Sequence, residues 1–339
     1  MPQINMPENW EPPYLSWSAE YAADVELIVI AYIAVQSKGE STAGFHDWFK
    51  GALSINHAPQ IVDRAAYLDT ERFNNEVYIC YWTDYSDYHR WVSSDTVSLW
   101  WNHDTRQSGS SGYWWETLNI PMGRFETIFS SEDAAGAAST TDKFIGPIQE
   151  HAYWGAMRDR IPSSAANAFD NTTGSELSPV RGQDSIGKRL MVTPPENMCV
   201  IRSAQNWTEC QGEELMIYLN DVHPVLKKGM EFIRDNSVET GCISCRFMDE
   251  LTMEGKSQDK TFGQAYFLTM GHLEAWAKSH PTHLAIFGSF HQMVKKLNFE
   301  LDLKLWHEVS VVSNQNEPFA YVNCHPNTGL LPFFTASRC

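Results

Sequence analysis

The feature that most restricts the fold of this chain is a match of the sequence with itself. "YWTDYSDYHRWVSSDTVSLWW" (81–101) lies over "YFLTMGHLEAWAKSHPTHLAI" (266–286) at a constant offset of 185 residues, so that Tyr81 meets Tyr266, Trp91 meets Trp276 and Ser94 meets Ser279. The same grammar surrounds both segments. "ELIVIAYIAV" (26–35) and "EVYICYW" (76–82) are β-branched and aromatic runs with a helical stretch over 41–53 between them. Later, "NMCVIRSA" (197–204) reads as a strand, 212–236 as an amphipathic helix, and "GCISCRFM" (241–248) and "GQAYFLTM" (263–270) as strands. A shifted offset of 181 to 185 places "RFETIFS" (124–130) opposite "LWHEVSVV" (305–312). A duplicated β-α-β unit is predicted, giving an α+β protein built as a pair of ferredoxin-like units.

Residues 163–186 ("SSAANAFDNTTGSELSPVRGQDSI") are polar and rich in Ser, Asn and Gly, which marks the boundary between the halves. The expected organisation is an N-terminal unit at 1–162, a polar linker at 163–196 and a C-terminal unit at 197–339. A formal charge of -17 repels phosphate backbones, and no Lys/Arg stripe offsets it, so nucleic acid is not an expected partner. No segment reaches the roughly 18 apolar residues of a membrane span. The opening "MPQINMPENWEPPYLSW" lacks the basic start and apolar core of a signal peptide, which makes the cytoplasm the expected location. Seven irregularly spaced cysteines do not form a disulfide framework, and reduced thiols are expected.

Two histidines carry the chemical interest. In "SHPTHLAIF" (279–287) Pro281 suits the first turn of a helix, with Ser279 or His280 as its cap, and the helix should run to about residue 298. His283, Phe287, Phe290, Val294 and Leu297 then share one apolar face, which aims His283 inward. The duplicated position is Ser98, so the helix itself does not require the imidazole. In "LWHEVSVV" a period of two puts Leu305, His307, Val309 and Val311 on one face and Trp306, Glu308 and Ser310 on the other. A buried imidazole must satisfy its nitrogens or cost about 1 to 3 kcal/mol. Either histidine could simply bond a backbone carbonyl, or the two could flank a cavity.

Cys242 and Cys245 form a lone CxxC without a second pair, which gives structural zinc little support. P-loop, GxGxxG, GxSxG and HExxH motifs are absent. A haem fits better, because it needs one axial imidazole and an apolar pocket and leaves its other face open.

The segments "EHAYWGAMRDRIP" (150–162), "VIRSAQNW" (200–207), "SHPTHLAIF" (279–287), "LWHEVSV" (305–311) and "YVNCHPNTGLLPFF" (321–334) resemble those of the haem-containing aldoxime dehydratases of the phenylacetaldoxime dehydratase type, over essentially the whole chain. The resemblance implies two ferredoxin-like units forming a dimeric α+β barrel-like fold, with haem b in the C-terminal half and ferrous iron in the active form. It implies His283 as the axial ligand, His307 as the distal acid and base, Ser203 as the substrate-binding serine, and Arg160 and Glu126 as its supports, with Arg158 two residues away as the alternative arginine. The implied reaction is dehydration of arylalkyl and alkyl aldoximes to nitriles, by a lyase whose partners are its small-molecule substrate and a possible second copy of the chain. A haem peroxidase, a haem-degrading oxygenase, or a haem carrier or sensor on a similar fold stand as alternatives.

Overall fold

The computed structural model describes residues 5–170, 174, 176–180 and 183–338; the rest, including 171–173, 175, 181 and 182 of the expected linker and the seventh cysteine, Cys339, lie outside the described residues. The first half contains β1 (Ser18–Ala19), β2 (Leu27–Ser37), α1 (Ala43–Ala52), β3 (Ile61–Leu68), β4 (Asn74–Trp82), α2 (Tyr85–Ser93), α3 (Asp95–Asn102), β5 (Gly112–Pro121), β6 (Phe125–Phe129) and β7 (Phe144–Ile145). The first half ends with α4 (Ala156–Arg160), and the second contains β8 (Arg189–Val192), β9 (Cys199–Asn206), α5 (Gly212–Ile217), α6 (His223–Asp235), α7 (Ser237–Thr240), β10 (Cys242–Leu251), β11 (Ser257–Phe267), α8 (Met270–Ser279), α9 (Pro281–Lys296), β12 (Lys304–Val311), β13 (Phe319–Val322) and β14 (Ser337–Arg338).

A twelve-stranded antiparallel sheet runs β14-β8-β13-β5-β2-β4-β3-β10-β11-β9-β12-β6. Within it the four strands β2, β3, β4 and β5 take the spatial order fourth, first, third, second, and β9, β10, β11 and β12 repeat that order as its mirror, joined where β3 pairs β10. The outer ends meet as well. The residues of β6 and β5 oppose those of β12 and β13 in one unbroken register, from Trp306↔Phe129 to Val322↔Tyr113, so the sheet closes on itself. Where the ladder lapses, the Asn316 side chain accepts from the Asn119 amide and donates to the Thr117 carbonyl, each at 2.8 Å.

Closure explains the composition of the strands. Both faces of β2 are buried, one inside the barrel and one under α1 to α3, so "LIVIAYIAVQS" reads as a continuous apolar run rather than an alternating one. The barrel interior also holds charge: Arg246 pairs with Glu116 at 2.6 Å, Tyr266 donates to Glu116 at 2.7 Å, and Tyr81 donates to Glu308 at 2.8 Å. Each repeated tyrosine therefore bonds a glutamate of the other half.

Several boundaries differ from expectation. The strand expected at 263–270 ends at Phe267, because the Thr269 side chain accepts from the His272 amide and caps α8. The helix expected over 212–236 is interrupted by a π turn at Tyr218–Val222. "RFETIFS" is not the counterpart of "LWHEVSVV": β5 holds the fourth position in its half, and β6 lies alongside β12 as its partner. The α9 face expected to be buried is 47% exposed at Phe287, because the helix is turned so that Ile286, Phe290 and Met293 pack against neighbouring elements, while His283 and Ile286 border a cavity.

Candidate active site

The register places three residues side by side on the outer face of the second half: Gly263 on β11 opposes Ser203 on β9, which opposes His307 on β12. The equivalent row in the first half is Tyr78, Ile33 and Trp115, which pack with Phe49 and Trp91 into a solid core. Replacing a tyrosine and an isoleucine with glycine and serine removes the filling. A cavity of about 870 Å³ occupies the space, walled on one side by Ile201, Ser203, Gly263, Ala265 and His307. Facing it are Leu226, Met230 and Ile233 of α6, Leu273 and Trp276 of α8, and His283 and Ile286 of α9.

His283 enters from the helical wall. Pro281 sits at the first turn of α9 and the His280 ring caps it by accepting from the Thr282 amide, which fixes the start of the helix. Trp276 packs edge-on against the His283 ring at 4.7 Å. Burial lowers the imidazole's pKa, with the Ala277 backbone opposing, so the ring is neutral near pH 7. Its Nδ1 is buried without a hydrogen-bond partner, which is costly unless the ring has another task.

His307 enters from the sheet, and its surroundings are ionic. The Nε2 atom lies 3.1 Å from Glu126 Oε1 and 3.2 Å from Arg160 Nη2. Arg160 grips Glu126 through two bonds, Nε to Oε2 at 2.7 Å and Nη2 to Oε1 at 3.1 Å, and donates to the Glu150 carbonyl at 2.6 Å. Glu126 lies on β6, directly against β12, and its side chain is 1% exposed. Burial raises the pKa of that carboxyl, but Arg160 and His307 outweigh it and hold Glu126 at about 2. Arg158 is not part of this cluster: it pairs with Glu274 of α8 at 2.8 Å and donates to the Ala168 carbonyl at 2.7 Å. The five-residue helix α4 thus ties both walls together.

All five residues expected from the sequence are close to this cavity. His283, His307, Ser203 and Arg160 line it, and Glu126 stands behind His307. The described residues offer the Ser203 hydroxyl no hydrogen-bond partner. His151, inside the quoted "EHAYWGAMRDRIP" but not singled out there, also lines the cavity. A neutral imidazole with an orphaned Nδ1, an apolar slot and a polar opposite wall fit a haem held through His283, with Ser203 and His307 facing its other side.

Such a cavity defines a haem protein, with the ionic cluster of His307, Arg160 and Glu126 on the wall opposite His283. Residues 31–330 match the family model for the haem-containing dehydratases, and the chain belongs to that family. It is 41% identical to a phenylacetaldoxime dehydratase of Bacillus sp. (strain OxB-1), over 98% of this chain and 95% of that one. It is 34% identical to an aliphatic aldoxime dehydratase of Pseudomonas chlororaphis, over 96% and 93%. Among solved structures it resembles an aldoxime dehydratase (TM-score 0.89, 33% identity, 97% and 95% covered) and another in complex with butyraldoxime (TM-score 0.89, 31% identity, 97% and 92% covered).

Proposed function

We propose that this chain dehydrates arylalkyl and alkyl aldoximes, R–CH=N–OH, to nitriles and water on a haem b held by His283. The observation that carries the reading is one cavity with a neutral helix histidine on one wall and the His307–Arg160–Glu126 cluster on the other. Held by His283, a reduced haem would supply an electron-rich iron able to weaken the N–O bond.

The protein's part is proton management. The unpaired Ser203 hydroxyl donates to the oxime oxygen and fixes its direction. His307, as imidazolium, gives that oxygen its proton, so the group leaves as water rather than hydroxide. The same imidazole then takes the carbon-bound proton, which closes the cycle with no net loss of protons or electrons. Its Nε2–H donates to the Glu126 carboxylate, which leaves Nδ1 for the exchange. Arg160 and His307 together keep the Glu126 carboxylate ionised.

The proposal includes two ferredoxin-like units, at 1–162 and 197–339, separated by 163–196, a cytoplasmic location in keeping with the six buried free cysteines among the described residues, and a homodimer. The test is an anaerobic spectrum of the dithionite-reduced holoprotein before and after phenylacetaldoxime, with nitrile measured in the same cuvette. Nitrile should form without peroxide or oxygen, and His307→Ala should keep its Soret band while losing at least about 10²-fold in rate. Turnover that consumes peroxide or oxygen would favour a peroxidase or oxygenase, and spectral change without nitrile would favour a haem sensor.

A further inference from the structure

His151 is 1% exposed and lines the cavity, yet its Nε2 is buried with no hydrogen-bond partner. Buried ring nitrogens are rarely left that way, because the unmade bond costs about 1 to 3 kcal/mol. The rest of the residue is held with care. Nδ1 reaches the buried Ser16 hydroxyl at 3.5 Å, the carbonyl accepts from Trp10 Nε1 at 3.0 Å, and the Tyr14 ring packs against the imidazole at 5.1 Å. The preceding carbonyl, that of Glu150, is the one Arg160 binds, so the guanidinium beside His307 also places residue 151. The next residue, Ala152, has φ 61°, a left-handed conformation that an alanine adopts at a cost. Burial, reinforced by the Arg160 charge, lowers the ring's pKa and keeps it neutral.

From this geometry we infer that His151 is a further substrate-contacting residue, whose Nε2 lone pair accepts a hydrogen bond from the oxime hydroxyl while the ring proton stays on Nδ1 toward Ser16. The inference rests on the aldoxime reading and adds a second polar contact to the group that leaves. Ser203 donates to the oxime oxygen and His151 accepts from its hydrogen. The hydroxyl is thus bound at both of its ends before His307 protonates it.

The experiment compares wild type, His151→Phe and His151→Gln as reduced holoproteins, titrated with phenylacetaldoxime and with its O-methyl ether by visible spectroscopy. The ether lacks the hydrogen. His151→Phe should bind the oxime about tenfold more weakly and the ether as wild type does, with His151→Gln recovering most of the loss. Equal weakening toward both ligands would mark His151 as structural, and unchanged oxime affinity would mean that only water or empty space faces Nε2; either result overturns the inference. A wild type that binds the oxime with this discrimination but forms no nitrile would instead refute the dehydratase reading and leave the His151 contact standing.

Discussion

Glu126→Gln isolates the charge that organises the distal wall. The substitution keeps the shape and one acceptor oxygen but leaves the Arg160 guanidinium, 8% exposed at its side chain, without its anion. In the protein the Glu126 carboxyl sits at about 2 against an ordinary 4.5, a difference worth about 3 kcal/mol of folding stability. That figure agrees with the 3 to 5 kcal/mol or so lost when one partner of a buried pair is removed. A carboxyl held below its ordinary value stabilises the fold fully above about pH 4.5, and the benefit disappears as pH falls through 2. Wild type should therefore exceed Glu126→Gln by about 3 kcal/mol at pH 7 and by only about 1 kcal/mol at pH 3. Urea titrations of both proteins at pH 7, 5, 4 and 3, followed by tryptophan fluorescence, measure the gap, and any acid loss of haem is common to both. A gap of the same size at pH 7 and pH 3 would show that Glu126 does not carry a buried charge and would remove the basis for its role beside His307.

Gly263→Tyr restores the side chain found at Tyr78 in the first half. A Cβ there meets only the flexible end of Met230, 2.8 Å away, so the protein should fold with an undiminished melting transition but lose most of its Soret absorbance; full haem content would refute the filled-row argument. The two arginines of α4 should separate cleanly. Arg160→Gln should lower nitrile formation per haem by at least about tenfold with normal haem retention. Arg158→Gln should leave turnover per haem within about twofold, because a partly exposed pair contributes little, but should release haem faster to a scavenging apoglobin as α4 parts from α8.

The repeat around Tyr81 and Tyr266 carried the fold a long way, because aromatic spacing within a helix–strand unit is local information. What it missed is long-range. Nothing in "RFETIFS" distinguishes a repeat of "LWHEVSVV" from its pairing partner, since both alternate with the same period and only the closing seam separates the two. The inward aim of His307 followed from its alternation, and that of His283 from helical spacing, but Phe287 shows the limit: periodicity places a helix face only approximately, and the packed face here runs through Ile286 and Phe290 instead. Glu126, Arg160 and Ser203 had no pattern of their own. A glutamate in a short strand and an arginine in "MRDR" look solvent-facing, and their contact spans 34 residues of chain. They were found only through motif resemblance. His151 could have been suspected from its place beside those motifs, but its unpaired nitrogen is visible only in three dimensions.

The seam where β6 lies on β12 has one more consequence. Glu126, from a strand of the first half, stands against His307 of the second because β6 crosses over to pair with β12. A fragment beginning at residue 163 would carry His283 and His307 yet possess neither Glu126 nor Arg160. The two rows differ to match: tryptophan, isoleucine and tyrosine fill in one half the space that histidine, serine and glycine leave open in the other.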